Sequence, residues 1–391
     1  MYLTRLKLAN FKSYADADIA FSNNVNCFVG NNGVGKTNLL DAIYYLSFCK
    51  SYFNPIDSQN IRHDEDFFAI HGEYSNDDAP VMVSCTLKRG HNKQMKFNKK
   101  TYTSLSEHIG KIPLVIVSPN DQNLILGGSE VRRKFIDGVI SQADHTYLNT
   151  LLQYNKALDQ RNHLLKSCYE NRYFDKEGIA LWDEQLAHHG SLIFVRRRQF
   201  IEEFSPLFSH YFSMIADEAI AHESPSLSHT SPLLDSLTIS QFSDDAIPTI
   251  EEHFKALLLQ AQQRDAIMQY STVGTHKDDI DLAIGGYPVK KFGSQGQQKT
   301  FLLALKLAQF DYIAQRLNEK PILLLDDMFD KLDMLRVRQL VRLVGSSRFG
   351  QVFITDTQQG RVESIFEETP DIDHLIFHVT PGSVQPISSN H

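Results

Sequence analysis

Gly30-Asn31-Asn32-Gly33-Val34-Gly35-Lys36-Thr37 is the stretch from which the reading of this chain starts. It fits G-x-x-x-x-G-K-[ST], and the chemistry explains the letters. Glycines let backbone N–H groups curl round an anion with no Cβ in the way. A helix that begins at the end of the loop points its positive end at the same anion. Lys36 adds a mobile charge for the β- and γ-phosphates of a nucleotide, and the Thr37 hydroxyl is placed to ligate Mg2+. The surroundings suit this reading rather than a chance glycine-rich turn. Val25–Val29 is a short apolar strand before the loop. After it, a helix from near Thr37 carries Leu39, Leu40, Ile43 and Leu46 on one side. Residues 30–37 and the adjoining Asn38 are therefore the expected ATP-binding stretch.

A second carboxylate site lies far along the chain. Ile322-Leu323-Leu324-Leu325 is a continuous apolar run, as expected of a central strand buried on both faces. Asp326-Asp327 follows it. Carboxylates at the end of such a strand fall in the crevice where ligands bind in α/β sheets. Asp326 is the expected Mg2+ partner, and Asp327 the residue that orients or polarises an attacking water. One helix earlier, Phe292-Gly293-Ser294-Gln295-Gly296-Gln297-Gln298-Lys299 precedes the predicted helix 295–318. Ser and Gly at a helix start form another anion-binding end, although an ordinary N-cap reads the same way in isolation.

The rest of the chain sets the frame. Its 391 residues suit two or three domains. Apolar residues at 42% and charged residues at 22% exclude disorder as the main state. No segment approaches ~20 consecutive apolar residues, so no membrane-spanning helix is expected. The opening Met1-Tyr2-Leu3-Thr4-Arg5 lacks the layout of a signal peptide, so a cytoplasmic location is expected. Four scattered cysteines, Cys27, Cys49, Cys85 and Cys168, fit unpaired thiols in a reducing compartment. A net charge of −8 rules out a protein basic all over, but not a local basic patch.

Short strands are predicted around 2–9 and 16–21 and at several places in 67–118, with a basic hairpin around Gly90. From about 130 to 264 the period is helical, interrupted by Pro206, Pro225, Pro232 and Pro248. Residues 222–250, rich in Ser, Thr and Pro, read as loop or irregular pieces. A strand–helix–strand unit returns between Ile322 and Thr355. The sheet is thus built from both ends of the chain, with a helical region inserted.

The order of phosphate loop, Ser294-Gln295-Gly296-Gln297, Asp326-Asp327 and Asp330-Lys331-Leu332-Asp333 resembles the Walker A, signature, Walker B and D-loop of ABC-type ATPases. Within that class the opening Leu6-Lys7-Leu8-Ala9-Asn10-Phe11-Lys12-Ser13-Tyr14 is similar to the RecF and SMC group, which acts on DNA. SMC-type proteins insert hundreds of coiled-coil residues, which this short, proline-broken insert excludes. Four further stretches resemble the RecF family specifically. They are Ser118-Pro119-Asn120-Asp121, Gly127-Gly128 with residues 132–137, Gly274-Thr275-His276-Lys277-Asp278-Asp279, and the signature run. The likeness covers roughly residues 2–380.

The resemblance implies an α/β fold. An ABC-ATPase-like head with mixed β-sheets and flanking helices would carry an inserted, mainly helical arm domain. The expected divisions are 1–125 and 271–391 for the head and 126–270 for the arm. It implies ATP and Mg2+ as cofactors, and a homodimer glued by ATP in which Ser294, Gln295, Gly296 and Gln297 act in trans, with Asp330 and Asp333 in the D-loop. It implies catalytic roles for Lys36 and Asp327 and weak hydrolysis without nuclease activity. It also implies binding to double-stranded DNA near single-strand junctions, and work with RecR and RecO to load RecA at gaps. Departures are mild. Thr275, Lys277 and Gly293 replace the family's usual Pro, Arg and Ala. The strand end Thr355-Asp356-Thr357 has no switch histidine, and Asp327 stands for the commoner Glu, traits the RecF family shares. Gln122 is a Q-loop candidate. A rival reading is an ATPase of this class with no DNA role, in signalling or transporter coupling. An ABC-class nuclease would need a further acidic domain, and nothing after Asp356 resembles one.

Three basic clusters could meet phosphates: Lys88, Arg89 and Lys93 of the hairpin; Arg132-Arg133-Lys134; and Arg196-Arg197-Arg198. Each reads equally as a solvated face. His276 beside Asp278 reads as a structural hydrogen-bonding histidine rather than a metal ligand.

Overall fold

The computed structural model describes residues 1–76, 79–216, 224–234, 237, 242–328, 334–346 and 348–387. In chain order the first elements are β1 (Tyr2–Phe11), β2 (Tyr14–Ala20), β3 (Val25–Val29), α1 (Lys36–Phe48), β4 (Phe67–Ser75), β5 (Val81–Lys88), β6 (Gln94–Phe97), β7 (Lys100–Thr101) and β8 (Leu114–Val117). Then come α2 (Asn123–Leu126), α3 (Ser129–Ala143), α4 (His145–Asn171), α5 (Lys176–Ile215), β9 (Pro225–Thr230), α6 (Ile247–Met268), β10 (Asp279–Ile284), β11 (Tyr287–Pro288), α7 (Val289–Phe292) and α8 (Gln295–Leu317). The chain closes with β12 (Ile322–Leu325), α9 (Met334–Val344), β13 (Val352–Asp356), α10 (Gln359–Glu367), β14 (His374–Thr380) and β15 (Ser383–Pro386). Two compact units result: Met1–Asp121 with Gln309–His391, and Gln122–Ala308.

The first unit is built on two six-stranded sheets. One is antiparallel, in the order β2-β1-β4-β5-β6-β7. Its strands alternate, as a half-buried sheet requires: Val81, Val83, Cys85 and Leu87 face inward on β5 while Met82 is exposed. On β1 the alternation slips, because a register shift between Leu3 and Arg5 turns both Leu3 and Leu6 inward. The other sheet runs β15-β14-β3-β13-β12-β8 and is parallel except for its edge strand β15. Its central strands are buried along their whole length, which is why Ile322–Leu325 reads as an unbroken apolar run and Val25–Val29 and Val352–Asp356 as mostly apolar ones, their polar Asn26, Thr355 and Asp356 also buried. α1 touches strands of both sheets and buries residues on every side, so it carries no clean polar stripe.

The second unit packs α3, α4, α5 and α6 with a small antiparallel sheet, β11-β10-β9. Two expectations need correcting here. Pro206 does not interrupt the helix. It lies inside α5, a helix of 40 residues. Phe200, Phe204, Phe208 and Phe212 recur every fourth residue on α5, all buried, and this packing outweighs the lost backbone bond. Within the stretch expected to be irregular, Pro225–Thr230 is a strand, paired with β10 from Thr230↔Asp279 to Pro225↔Ile284. Its Ser and Thr residues alternate outward from a buried His229, a pattern that composition alone hides. Among the described residues, no helix is long and apolar enough to cross a membrane.

Candidate nucleotide site

The site forms at the carboxyl ends of β3, β13 and β12, three neighbouring parallel strands. At about 4.8 Å per strand, the loop after β3 and the carboxylates after β12 lie about 10 Å apart in the sheet, bridged by the end of β13. Parts of the chain some 290 residues apart therefore converge: the Thr37 hydroxyl donates to Asp326 at 3.0 Å (Oδ1) and 3.2 Å (Oδ2), a sequence separation of 289.

The loop has the conformation that its glycines permit. Gly33 and Gly35 have φ of 80° and 113°, in the left-handed region. A Cβ on Gly35 would also lie 2.7 Å from Ser13 Oγ and 3.0 Å from the Tyr14 hydroxyl. Those two side chains brace the loop from behind. The Tyr14 hydroxyl donates to the Gly35 carbonyl (3.2 Å), and Asn38 Nδ2 donates to Ser13 Oγ (2.8 Å). Lys36 is 5% exposed, and its ammonium donates to the carbonyls of Gly30 (2.7 Å) and Asn31 (2.9 Å), which holds the charge over the loop.

Asp326 is buried. Burial pushes its carboxyl above the ordinary range, partly offset by hydrogen bonds from Thr355 and Thr37. Thr355, in β13, donates to Asp326 Oδ1 (2.9 Å) and accepts from the Asp327 amide (2.9 Å). Asp327 itself has φ of 51°. Sequence reading missed Thr355, Ser13 and Tyr14. Their positions next to the loop and carboxylates exist only once the strands are side by side.

Ser294 to Gln297 form a reciprocal cap at the start of α8. The Gln297 amide donates to Ser294 Oγ (3.2 Å), and the Ser294 amide donates to Gln297 Oε1 (2.7 Å). Ser294 and Gln295 are exposed. Asp330, Lys331, Leu332 and Asp333 lie outside the described residues. Gln122 is half-buried at the end of the turn that follows β8.

The basic clusters fare unequally. Arg197 is 3% exposed and is withdrawn as a phosphate contact. Its guanidinium binds Asp137 (2.9 Å), Asp278 (2.7 Å) and the Thr275 carbonyl (2.7 Å). Arg132 is held by both oxygens of Asp279 (2.7 and 2.8 Å), and Arg133 donates to the Asp278 carbonyl (2.5 Å). Arg196 faces Asp144 (3.4 Å) and Glu203 (3.7 Å), and Arg198 lies over the Phe242 ring. Lys134 pairs with Glu130 on its own helix but stays exposed. Lys93 is tied to Asp57 and the Cys49 carbonyl, each at 2.6 Å, while Lys88 and Arg89 remain exposed. His276 bonds the Tyr154 hydroxyl (2.8 Å) and the Ser271 carbonyl (3.0 Å), and no group of three or more His, Cys, Asp or Glu able to hold a metal occurs among the described residues.

Comparison with known proteins settles the family. Residues 2–373 match the family model described as the RecF/RecN/SMC N terminal domain. A curated relative, the "DNA replication and repair protein RecF" of Phocaeicola vulgatus, is 48% identical over 390 residues, 98% of each chain. The chain belongs to the RecF family. RecF proteins act in DNA replication and repair, as the resemblance implied. A solved structure described as the recombination mediator protein RecF with ATP, in the RecFOR pathway, is 29% identical. It superimposes with a TM-score of 0.88 over 99% of this chain and 98% of its own. An SMC head bound to a winged-helix domain of ScpA, at 17% identity and a TM-score of 0.56, covers 100% and 98% of the two chains and shows the shared head fold alone. The expected α/β head of the ABC-ATPase type is therefore the fold of this RecF-family chain.

Proposed function

We propose that this RecF-family chain is a slow ATP-driven switch on duplex DNA: ATP joins two copies across their nucleotides, and hydrolysis releases them. The observation that carries the reading is the hydrogen bond from Thr37 to Asp326, which joins the phosphate loop to the carboxylate strand. The RecF–ATP structural relative supports ATP as the nucleotide.

The residues present fit Mg2+. Thr37 Oγ1 and the Asp326 carboxylate are hard oxygen donors within 3.0 Å of each other at the mouth of the loop. Thr37 would hold the ion directly and Asp326 through water, and the ion would supply charge neutralisation between phosphate oxygens. The protein's own groups do the rest. The amides of residues 30–38 wrap the phosphates, and the Lys36 ammonium moves from the Gly30 and Asn31 carbonyls to the β- and γ-phosphates. Asp327 orients the attacking water. A shorter Asp in place of Glu places its carboxylate farther from that water and slows the step. Ser294 to Gln297, with an exposed and already capped helix start, present amides to the γ-phosphate bound by the second copy.

The exposed cations that could meet the DNA backbone are Lys88, Arg89, whose Nε also donates to the Glu65 carbonyl (2.9 Å), and Lys134, paired with Glu130, with Arg133, Arg196 and Arg198 as less exposed, engaged neighbours. Action with RecR and RecO is supported by the RecFOR pathway in which the ATP-bound relative is placed; in this reading the chain works upstream of RecA loading at single-strand/double-strand junctions. The test is retention of a plain DNA duplex by the pure protein with ATP and Mg2+ against ADP and Mg2+. The reading expects ATP-dependent binding that weakens steeply with salt. Equal binding in both nucleotides contradicts it.

A further inference from the structure

We propose that Thr355 is a positioning residue for hydrolysis: its one hydroxyl fixes both carboxylates that follow β12. This rests on the ATPase reading above. A buried threonine hydroxyl can be satisfied within its own strand, but this one reaches the neighbouring strand's end twice. It donates to Asp326 Oδ1 at 2.9 Å and accepts from the Asp327 amide at 2.9 Å, and Thr355 is 0% exposed. One donor and one acceptor function of the hydroxyl are thereby used on consecutive residues. The two bonds act on different things. The first sets the rotation of the Asp326 carboxylate, whose oxygens also accept from Thr37. The second holds the Asp326–Asp327 peptide in the turn that gives Asp327 its φ of 51°, a left-handed conformation uncommon for a residue other than glycine, though less so for Asp. β13 is the natural place for such a clasp. It lies between β3 and β12, with Thr355 level with Phe28, so the hydroxyl stands between loop and carboxylates.

The role predicts a separation between binding and turnover. Thr355→Val keeps the shape and removes both bonds. In single-turnover assays its hydrolysis rate falls about 10- to 100-fold, as for other groups that orient a ligand from behind. The Mg2+ concentration giving half-maximal rate rises by about tenfold. ATP affinity measured by direct titration without Mg2+ stays within about twofold of wild type, because loop contacts dominate it. Thr355→Ser, which keeps the hydroxyl, recovers the rate. Should Thr355→Val not fold, Thr355→Cys against Thr355→Ser decides in the same way, since a thiol is a weak donor and acceptor. Wild-type turnover in the Val or Cys variant overturns the proposal. So does equal loss in the Ser variant, or a rate loss matched by loss of Mg2+-free ATP affinity. A wild-type protein that neither binds nor hydrolyses ATP sinks the ATPase reading instead.

Discussion

At the scale of single residues, the loop makes the sharpest demands. Lys36 is held by two carbonyls of its own loop, so its charge waits within the bend, to be exchanged onto phosphate. Lys36→Ala is expected to lower ATP affinity at least about tenfold in a calorimetric titration, the worth of a lost charge-assisted contact. Undiminished affinity would remove the loop assignment. Gly35→Ala adds a Cβ against Ser13 and Tyr14 at a φ of 113°. It should cost roughly 1–3 kcal/mol in urea unfolding, as strained backbone does. The glycines and Lys36 were legible in the sequence because each has a chemical reason visible in one dimension. Thr355 was not. A threonine near the end of an apolar strand says nothing of its neighbour until β12 and β13 are paired at Leu325↔Ile354.

At the scale of elements, strand composition and spacing carried the parallel sheet well, because strands buried on both faces leave continuous apolar runs. They failed where tertiary packing overrode local preference. Pro206 within α5 is one case, and β9, whose partner β10 begins about 50 residues later, is another. The basic clusters show the same limit. Arg197 reads as one of three exposed arginines, yet it ties α5 to Asp137 of α3 and to Asp278 just before β10. Arg197→Met takes the guanidinium from buried Asp278, left with His229 (3.0 Å), and from half-buried Asp137, left with the Tyr147 hydroxyl (2.5 Å), and should destabilise the protein by about 3–5 kcal/mol in denaturant titration. An effect under about 1 kcal/mol, typical of surface pairs, would return Arg197 to the DNA candidates. Lys88→Glu with Arg89→Glu should weaken duplex retention while leaving the unfolding midpoint unchanged; unaltered retention would exclude the hairpin.

At the scale of the whole molecule, stability and assembly become measurable. His108 and His276 are each pushed down to about 4 by burial, and each is kept neutral by its surroundings. Unfolded, both return to about 6.5. The unfolded chain therefore binds more protons in acid, so their stability contribution is full above about pH 6.5 and lost as pH falls towards about 4. At pH 5 the loss is about 2 kcal/mol for each, and His108→Asn should flatten the pH dependence of the urea midpoint. A slope unchanged in that variant would show that His108 does not titrate on unfolding. In the proposed ATP dimer Ser294, exposed at a capped helix start, meets the nucleotide of the second copy. Ser294→Arg should bind ATP normally yet stay monomeric by light scattering, whereas an ATP dimer in that variant would end the trans role. The meeting of Thr37 with Asp326 is tested directly by a double-mutant cycle on Mg2+·ATP affinity. Thr37→Ala and Asp326→Asn should each weaken binding, and the double variant should be little weaker than the worse single one. Additive losses would show that the two groups act on the nucleotide independently, which contradicts a shared Mg2+ site.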